Sequence, residues 1–468
     1  MYDGRLQGGV MMDRKTTLDL IIKGGAVVLK DEVRRLDIAV RDGRIVQLGE
    51  ALEGAAAQTV DAEGLTVMAG MVDSHVHLNE PGLGDWEGFD TGSAALAAGG
   101  CTTLIDMPLN GIPPTVSVSA LQRKLEAAEG RVHIDYALWG GLVPGKLGEL
   151  EGLAAAGVTG FKAFLSSPGD PSEEAFREVD DHTLLEGMRI IARLGRVLAL
   201  HAESEPLVSA LARQAREAGR TSAPDYAATR PVLAELEAVS RALFYAEQTG
   251  CAVHFVHISS AAAIRLIREA RSRGLDVTGE TCPHYLTLTA DDMERCGAVA
   301  KCAPPLRDAT EQEALWTLLA EGAIDLIASD HSPCPSELKE RTDFFDVWGG
   351  IAGAQSSLEL LVGEGHVRRG LPLPLLSRLL SLAPAERFGL HPRKGEIRVG
   401  ADADLALLDL GSTYRLEPEH LLQRHRISPY LGRTMHCRIV SVYSRGRLVY
   451  DTASGLTARG GGARLGHR

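Results

Sequence analysis

No stretch of about 18 consecutive apolar residues occurs in this chain, so no segment reads as a membrane-crossing helix. Cysteine is sparse and unpaired. The seven residues are Cys101, Cys251, Cys282, Cys296, Cys302, Cys334 and Cys437, and no two stand in a Cys-x-x-Cys spacing. The odd count argues against a disulfide framework or a thiolate zinc site, and for a reducing, cytoplasmic compartment. Positive charge is also short. Lys and Arg number 49 against 62 Asp and Glu, a net charge of -13. Nucleic acid and anionic membranes attract basic patches, so neither is expected as a partner. The opening MYDGRLQGGVMMDRK has no apolar core and does not read as a signal peptide. Met11 and Met12 offer later translation starts, and residues 1–17 are expected to be a disordered extension.

What is present is ample for a large fold. The 468 residues, 45% hydrophobic and 24% charged, suit a soluble barrel of about 250 residues or more plus a second module. Residues 18–66 carry β-branched runs broken by Gly and Asp-Gly, an antiparallel strand texture that returns over 388–455. Two such segments flanking a long middle predict one small β-sandwich built from both chain ends. Within 67–387, eight apolar strand-like runs alternate with helical stretches such as ALQRKLEAAEG and RPVLAELEAVSRALFYAEQTG. This predicts an (α/β)8 TIM barrel. No Gly-x-Gly-x-x-Gly follows the first strand, which weakens the open doubly wound alternative. Residues 456–468 read as a flexible tail.

Barrel enzymes keep their reactive groups at the C-terminal ends of strands. The first run ends in His75-Val76-His77, two rings two residues apart that share one face of a strand. The fourth places Lys162 inside the apolar Gly160-Phe-Lys-Ala-Phe164. The fifth ends in His201-Ala-Glu203, the sixth in His257 and the eighth in Ser329-Asp330-His331. Any one of these has a bland explanation as a satisfied core group or, for the lysine, a chain that snorkels to the surface. Five strand ends so equipped do not. His254, three residues before His257, falls on the opposite face by strand parity and reads as packing. His284 at the seventh strand end is not expected to be a ligand.

Together, Met71-Val-Asp-Ser-His-Val-His-Leu-Asn-Glu-Pro-Gly82, Gly160-Phe-Lys162, His201, His257-Ile-Ser-Ser260 and Ser329-Asp-His-Ser-Pro333 resemble the cyclic amidohydrolases, the family of dihydroorotases, hydantoinases and allantoinases. The likeness runs from about residue 18 to 455. It implies two divalent metal ions, with zinc favoured and cobalt, manganese or nickel accepted by the same donors. His75, His77 and Asp330 would hold one metal and His201 and His257 the other. Lys162 would bridge them as N6-carboxylysine after taking up carbon dioxide. Nearby dications favour the neutral amine that such a reaction needs. The resemblance also implies hydrolysis of a cyclic amide by a metal-activated water, with Asp330 as general acid/base, and a homotetramer.

Departures within the family narrow the ring. Asn79 stands where dihydroorotases have an arginine, and Ser167 where hydantoinases have a tyrosine. Trp86-Glu-Gly88, Asp106-Met-Pro-Leu-Asn110, Lys301-Cys-Ala-Pro-Pro305, Ser332-Pro-Cys-Pro335, Trp348-Gly-Gly-Ile351 and Ser428-Pro-Tyr-Leu-Gly432 resemble the allantoinase branch. The implied substrate is allantoin, opened to allantoate in purine catabolism. Asn79, Asn110, Ser166, Ser167 and Ser332 are candidates for its neutral ureido arm, though Asn110 also reads as a turn residue before Gly111 and two prolines, and Ser166 and Ser167 as loop polarity. At Ala303, where hydantoinases have serine, only a main-chain contact carries over. The alternatives are a hydantoinase or dihydropyrimidinase of broader range and, from another class, a metal-free scaffold relative.

Overall fold

A computed structural model describes residues 17–169 and 175–466. Residues 1–16 of the expected extension and the last two of the expected tail lie outside these. At the N-terminus, β1 (Leu18–Val28), β2 (Val33–Arg41) and β3 (Arg44–Gly49) pair antiparallel in sequence. The second turn is the two-residue Asp42-Gly43, both at positive φ (50° and 74°), as a tight hairpin turn requires. β4 (Ala56–Asp61) and β5 (Thr66–Ala69) then join β1 in parallel, so the expected purely antiparallel texture is in fact mixed.

The run LTVMAGMVDSHVH is two strands, not one. The chain leaves β5 at Gly70 and starts β6 (Met71–Val76) in a different sheet. A Cβ at Gly70 would lie 2.2 Å from the Thr102 hydroxyl, so only glycine passes this corner. The parallel strands that follow are β7 (Cys101–Asp106), β8 (Asp135–Leu138), the two-residue β9 (Gly140–Gly141), β10 (Phe161–Phe164), β11 (Val197–His201), β12 (Ala252–Phe255), β13 (Val277–Thr281) and β14 (Leu326–Ile327). They pair in two arcs, β6-β7-β8 and β9 through β14. Backbone bonds span both gaps. Thr159 N–H donates to Leu138 O at 2.9 Å, and His77 N–H donates to His331 O at 2.8 Å. The Asp73 carboxylate also accepts from Ser329 N–H at 3.1 Å, tying the first strand to the last.

Amphipathic helices cover the barrel. The helix Asp181–Arg193 is typical: Asp180 caps it by accepting from Thr183 N–H at 2.7 Å, and Leu184, Met188 and Ile191 are buried at helical spacing. Inside, Trp139 is fully buried, edge-on to Phe388 at 5.1 Å, with its indole N–H bonded to Ser74 O.

The C-terminal part returns to the first sheet. β15 (Leu405–Asp409) pairs antiparallel with β5, Leu405 facing Ala69. The short pair β16 (Tyr414–Arg415) and β17 (Thr434–Met435) stands apart. β18 (Arg438–Ser444), β19 (Arg447–Asp451) and β20 (Gly455–Leu456) continue outward from β15. The whole is an (α/β)8 TIM barrel carrying a β domain built from both ends of the chain. The two are clamped by buried Lys394, whose ammonium bonds Asp135 of β8 at 2.6 Å and Asp402 and Asp404 before β15 at 2.9 and 2.6 Å.

The tail corrects the sequence reading. Instead of hanging free, it docks on the barrel. Tyr136 N–H donates to Ala463 O, Leu465 N–H to Tyr136 O and Ala463 N–H to Asp135. Its glycines look like linker in the sequence, yet they allow this close main-chain approach: a Cβ at Gly462 would lie 1.9 Å from Ile134 O. Among the described residues, no helix is long and apolar enough to cross a membrane.

Candidate metal centre and active site

The strand ends converge. Donor atoms of His75, His77 and Asp330 lie within 4.8 Å of one another, all three residues buried. Asp330 Oδ1 is 3.2 Å from His75 Nε2 and 3.4 Å from His77 Nε2. A second pair faces them: His201 Nδ1 and His257 Nε2 are 3.1 Å apart, and the His75 and His257 rings are 5.4 Å centre to centre. The chain is bent to achieve this. His257 (φ 39°) and Asp330 (φ 48°) both occupy the left-handed region, where a side chain costs energy and which concentrates at functional sites.

Lys162 is the outlier among the buried lysines. Lys124 is bonded to Asp106 and to Met107 O, and Lys394 to three aspartates. Lys162 Nζ is fully enclosed, yet among the described residues it has no hydrogen-bond partner, and it lies over the Phe164 ring, 4.9 Å from its centre. Its charge acts on His77, His201, His257 and Asp330, and the Phe164 ring beneath it stacks on His201. Burial pushes its amine down to about 7, against the pull of Asp330 and Glu280. An isolated buried ammonium is costly, and the neutral form relieves that cost.

Burial also moves His77, His201 and His257 below the ordinary imidazole range, so each offers a lone pair. Burial opposes the charge on Asp330, but His75, His77 and His257 hold its carboxyl well below the usual range. Neutral imidazoles and one ionised carboxylate make a donor set that fits divalent metal binding, with an orphaned amine in the same region.

Two carboxylates behind the ligands carried no role in the sequence reading. Glu280 Oε1 is 2.9 Å from His75 Nδ1 and accepts from His257 N–H at 3.2 Å. Glu203 Oε2 is 2.9 Å from His201 Nε2 and is also bonded to Arg230. Burial opposes both charges, yet Arg230 and His201 bring Glu203, and His75 and His254 bring Glu280, down to about 2. Each fixes the ring orientation of a candidate ligand, the arrangement metal-binding histidines ordinarily have. His254 reaches the other oxygen of Glu280 at 3.2 Å, so it faces this network and not the helices. Strand parity failed there because β12 ends at Phe255 and the backbone bends before His257. His284 is buried edge-on against Tyr285, pushed down to about 4 by burial, and outside the group of candidate ligands.

Above the cluster opens a cavity of about 640 Å³. Its floor holds His75, His77, His201, His257 and Asp330, and its walls include Asn110, Ser167 and Ser332. Asn79 is not in the wall. Its amide donates to Pro333 O at 3.3 Å, and its own φ of 65° marks it as a turn former. Ser166 is likewise buried outside the wall. Trp86 and Trp348 meet edge to face across the mouth at 4.7 Å, and Phe164 stacks on His201 at 4.5 Å.

Comparison with known proteins shows the family. A model of the amidohydrolase family matches residues 66–449. An allantoinase of Rubrobacter xylanophilus is 49% identical over 436 residues, 93% of this chain and 95% of the relative. One of Escherichia coli O1:K1 is 43% identical over 441 residues, 94% and 97%. Among solved structures, the L-hydantoinase (dihydropyrimidinase) of Arthrobacter aurescens superposes with a TM-score of 0.92 at 36% identity, over 96% of this chain and all of that one. The dihydropyrimidinase of Brevibacillus agri gives 0.88 at 31%, over 95% and 98%. By sequence, fold and the residues gathered at its strand ends, this chain is a member of the amidohydrolase family, a hydrolase of cyclic amides.

Proposed function

We propose that this enzyme hydrolyses the ring amide of allantoin to give allantoate. The observation that carries the reading is the likeness to allantoinases at 43–49% identity over nearly the whole chain, joined to a strand-end cluster suited to a metal pair. The hydantoinase likeness is strong in fold, with a TM-score of 0.92, but lower in identity at 36%.

In this reading His75, His77 and Asp330 would hold one divalent ion and His201 and His257 the other, with carboxylated Lys162 as a ligand they would share. Zinc suits imidazole and carboxylate donors, and cobalt, manganese or nickel would be accepted. Such ions polarise a carbonyl and acidify water. The chain's own residues supply the rest. Glu280 and Glu203 orient the ligand rings. The Lys162 amine, neutral and enclosed, adds carbon dioxide to form an N–C bond and releases a proton, leaving a carbamate with two oxygens. Asp330 takes the proton of the attacking water and delivers it to the ring nitrogen as its bond to the carbonyl carbon breaks. Asn110, Ser167 and Ser332 face the ureido arm. Asn79 acts on the substrate only indirectly, through the Pro333 main chain. The homotetramer and cytoplasmic location implied by the resemblance belong to the same proposal.

The test is a steady-state comparison of allantoin, hydantoin, dihydrouracil and dihydroorotate with the purified protein, alongside a metal count. Allantoin should lead. Negligible turnover of allantoin beside rapid turnover of another ring would remove the assignment, and a protein with less than about one ion per chain and no turnover of any ring would be a scaffold relative.

A further inference from the structure

Two of the motifs that set this chain apart within its family, Lys301-Cys-Ala-Pro-Pro305 and Trp348-Gly-Gly-Ile351, have no part in the chemistry above. The structure joins them. Residues 345–349 line one wall of the cavity, and the segment 342–350 that carries them contains neither helix nor strand, so its carbonyls have no ladder to pair with. Lys301, 4% exposed, donates from Nζ to the carbonyls of Phe344 at 2.6 Å, Phe345 at 3.2 Å and Val347 at 2.6 Å. Lys339 donates to the carbonyls of Trp348 and Gly350, both at 2.8 Å, and of Ala298 at 3.0 Å. Five of the seven carbonyls from 344 to 350 therefore point at two ammonium groups.

An ammonium has three donors and no acceptor, and each lysine spends all three on main chain. A surface lysine would keep its charge in water. Here Lys301 lies over the Tyr226 ring at 4.5 Å, and burial pulls it down to about 7 and Lys339 to about 8. Charge placed where burial opposes it marks a geometric task. The segment so held carries Phe345, Val347 and Trp348 into the cavity, and Trp348 meets Trp86 across the mouth. From outside, Arg216 is bonded to Asp343 and Asp346 and lies over the Phe345 ring at 5.4 Å.

We propose that Lys301 and Lys339 are positioning residues that shape the substrate-binding wall by caging its carbonyls, and so set ring selectivity without touching the reacting atoms. The proposal rests on the reading of this cavity as the substrate site. Lys301→Met keeps length and removes the donors. We expect KM for allantoin to rise at least about tenfold with kcat changed less than about threefold and the metal count unchanged. Amide hydrogen exchange, read without substrate, should speed up over residues 342–350 and stay unchanged in β6 to β14. Lys339→Met should act alike. Arg216→Gln, exposed and safe for folding, should give a smaller rise in KM if the lysine variants do not accumulate. Unchanged exchange over 342–350 overturns the cage whatever the substrate. Faster exchange throughout the barrel, or kcat and metal lost together, overturns the positioning role in favour of a general structural one. Should wild-type enzyme ignore allantoin yet show the local exchange change, the cage stands and the KM comparison passes to whichever ring is turned over.

Discussion

Glu280 Oε1 lies 2.9 Å from His75 Nδ1 although the two residues are 205 positions apart, and the same oxygen accepts from the main chain of His257. One buried carboxylate thus orients a ring and holds a bent backbone, at residues we assign to different metals. Glu280→Gln keeps the shape and removes the charge. Metal affinity, measured by competition with a chelator, should fall about 10- to 100-fold while the folded content by circular dichroism is kept. Wild-type affinity in this variant would refute the orienting role.

Asp330→Asn keeps the volume of the side chain but cannot carry the proton. Turnover of allantoin should drop by at least about 10²-fold, the lower end of general acid–base contributions. The folded content by circular dichroism should be kept. Retention of most of the activity would assign the proton transfer elsewhere.

Removal of metal should silence the enzyme reversibly. After dialysis against a chelator, activity should return only when a divalent ion and carbon dioxide are both restored. Lys162→Ala should not recover under the same conditions, and its metal content by elemental analysis should fall below that of wild type. Full activity of Lys162→Ala would exclude the bridge.

Glu359 sets a pH dependence away from the active site. It is buried, accepts from Tyr414 O–H at 2.5 Å and from Ile439 N–H at 2.6 Å, and burial raises its carboxyl to about 7. A folded value above the ordinary 4.5 means that the group stabilises the fold fully below about pH 4.5, and that this contribution is lost as pH rises through 7. The difference is about 3 kcal/mol at 1.36 kcal/mol per unit. Urea unfolding of wild type and Glu359→Gln across pH 4.5–7.5 should show the wild type losing stability relative to the variant by about that amount. Parallel profiles would place the titration elsewhere.

The barrel was legible in the sequence because a parallel strand buried on both faces reads as an apolar run and its helices repeat at 3.6 residues. The ligand candidates were legible for a related reason: His75, His77, His201, His257 and Asp330 interrupt such runs at or near strand ends, and Lys162 interrupts one from inside. Glu280 was not, because its meaning lies in a pairing across 205 positions that no local pattern records. His254 misled, because parity holds only while the strand continues. The cages around Lys301 and Lys339 were invisible for another reason: their partners are carbonyls, which every residue has. The docked tail escaped notice likewise, since its bonds are main chain on main chain.

Leu405 of β15 faces Ala69 of β5, so the sheet that both ends share has its seam between strands made at opposite times of synthesis. At about 5–20 residues per second, the edge of β5 waits roughly 20–70 s on the ribosome before its neighbour is translated. Throughout that interval the barrel is emerging beside an unsatisfied strand edge, the surface most prone to wrong pairing between nascent chains. Faster translation, or a chaperone that shields the first 70 or so residues, should therefore raise the soluble yield more than any change inside the barrel.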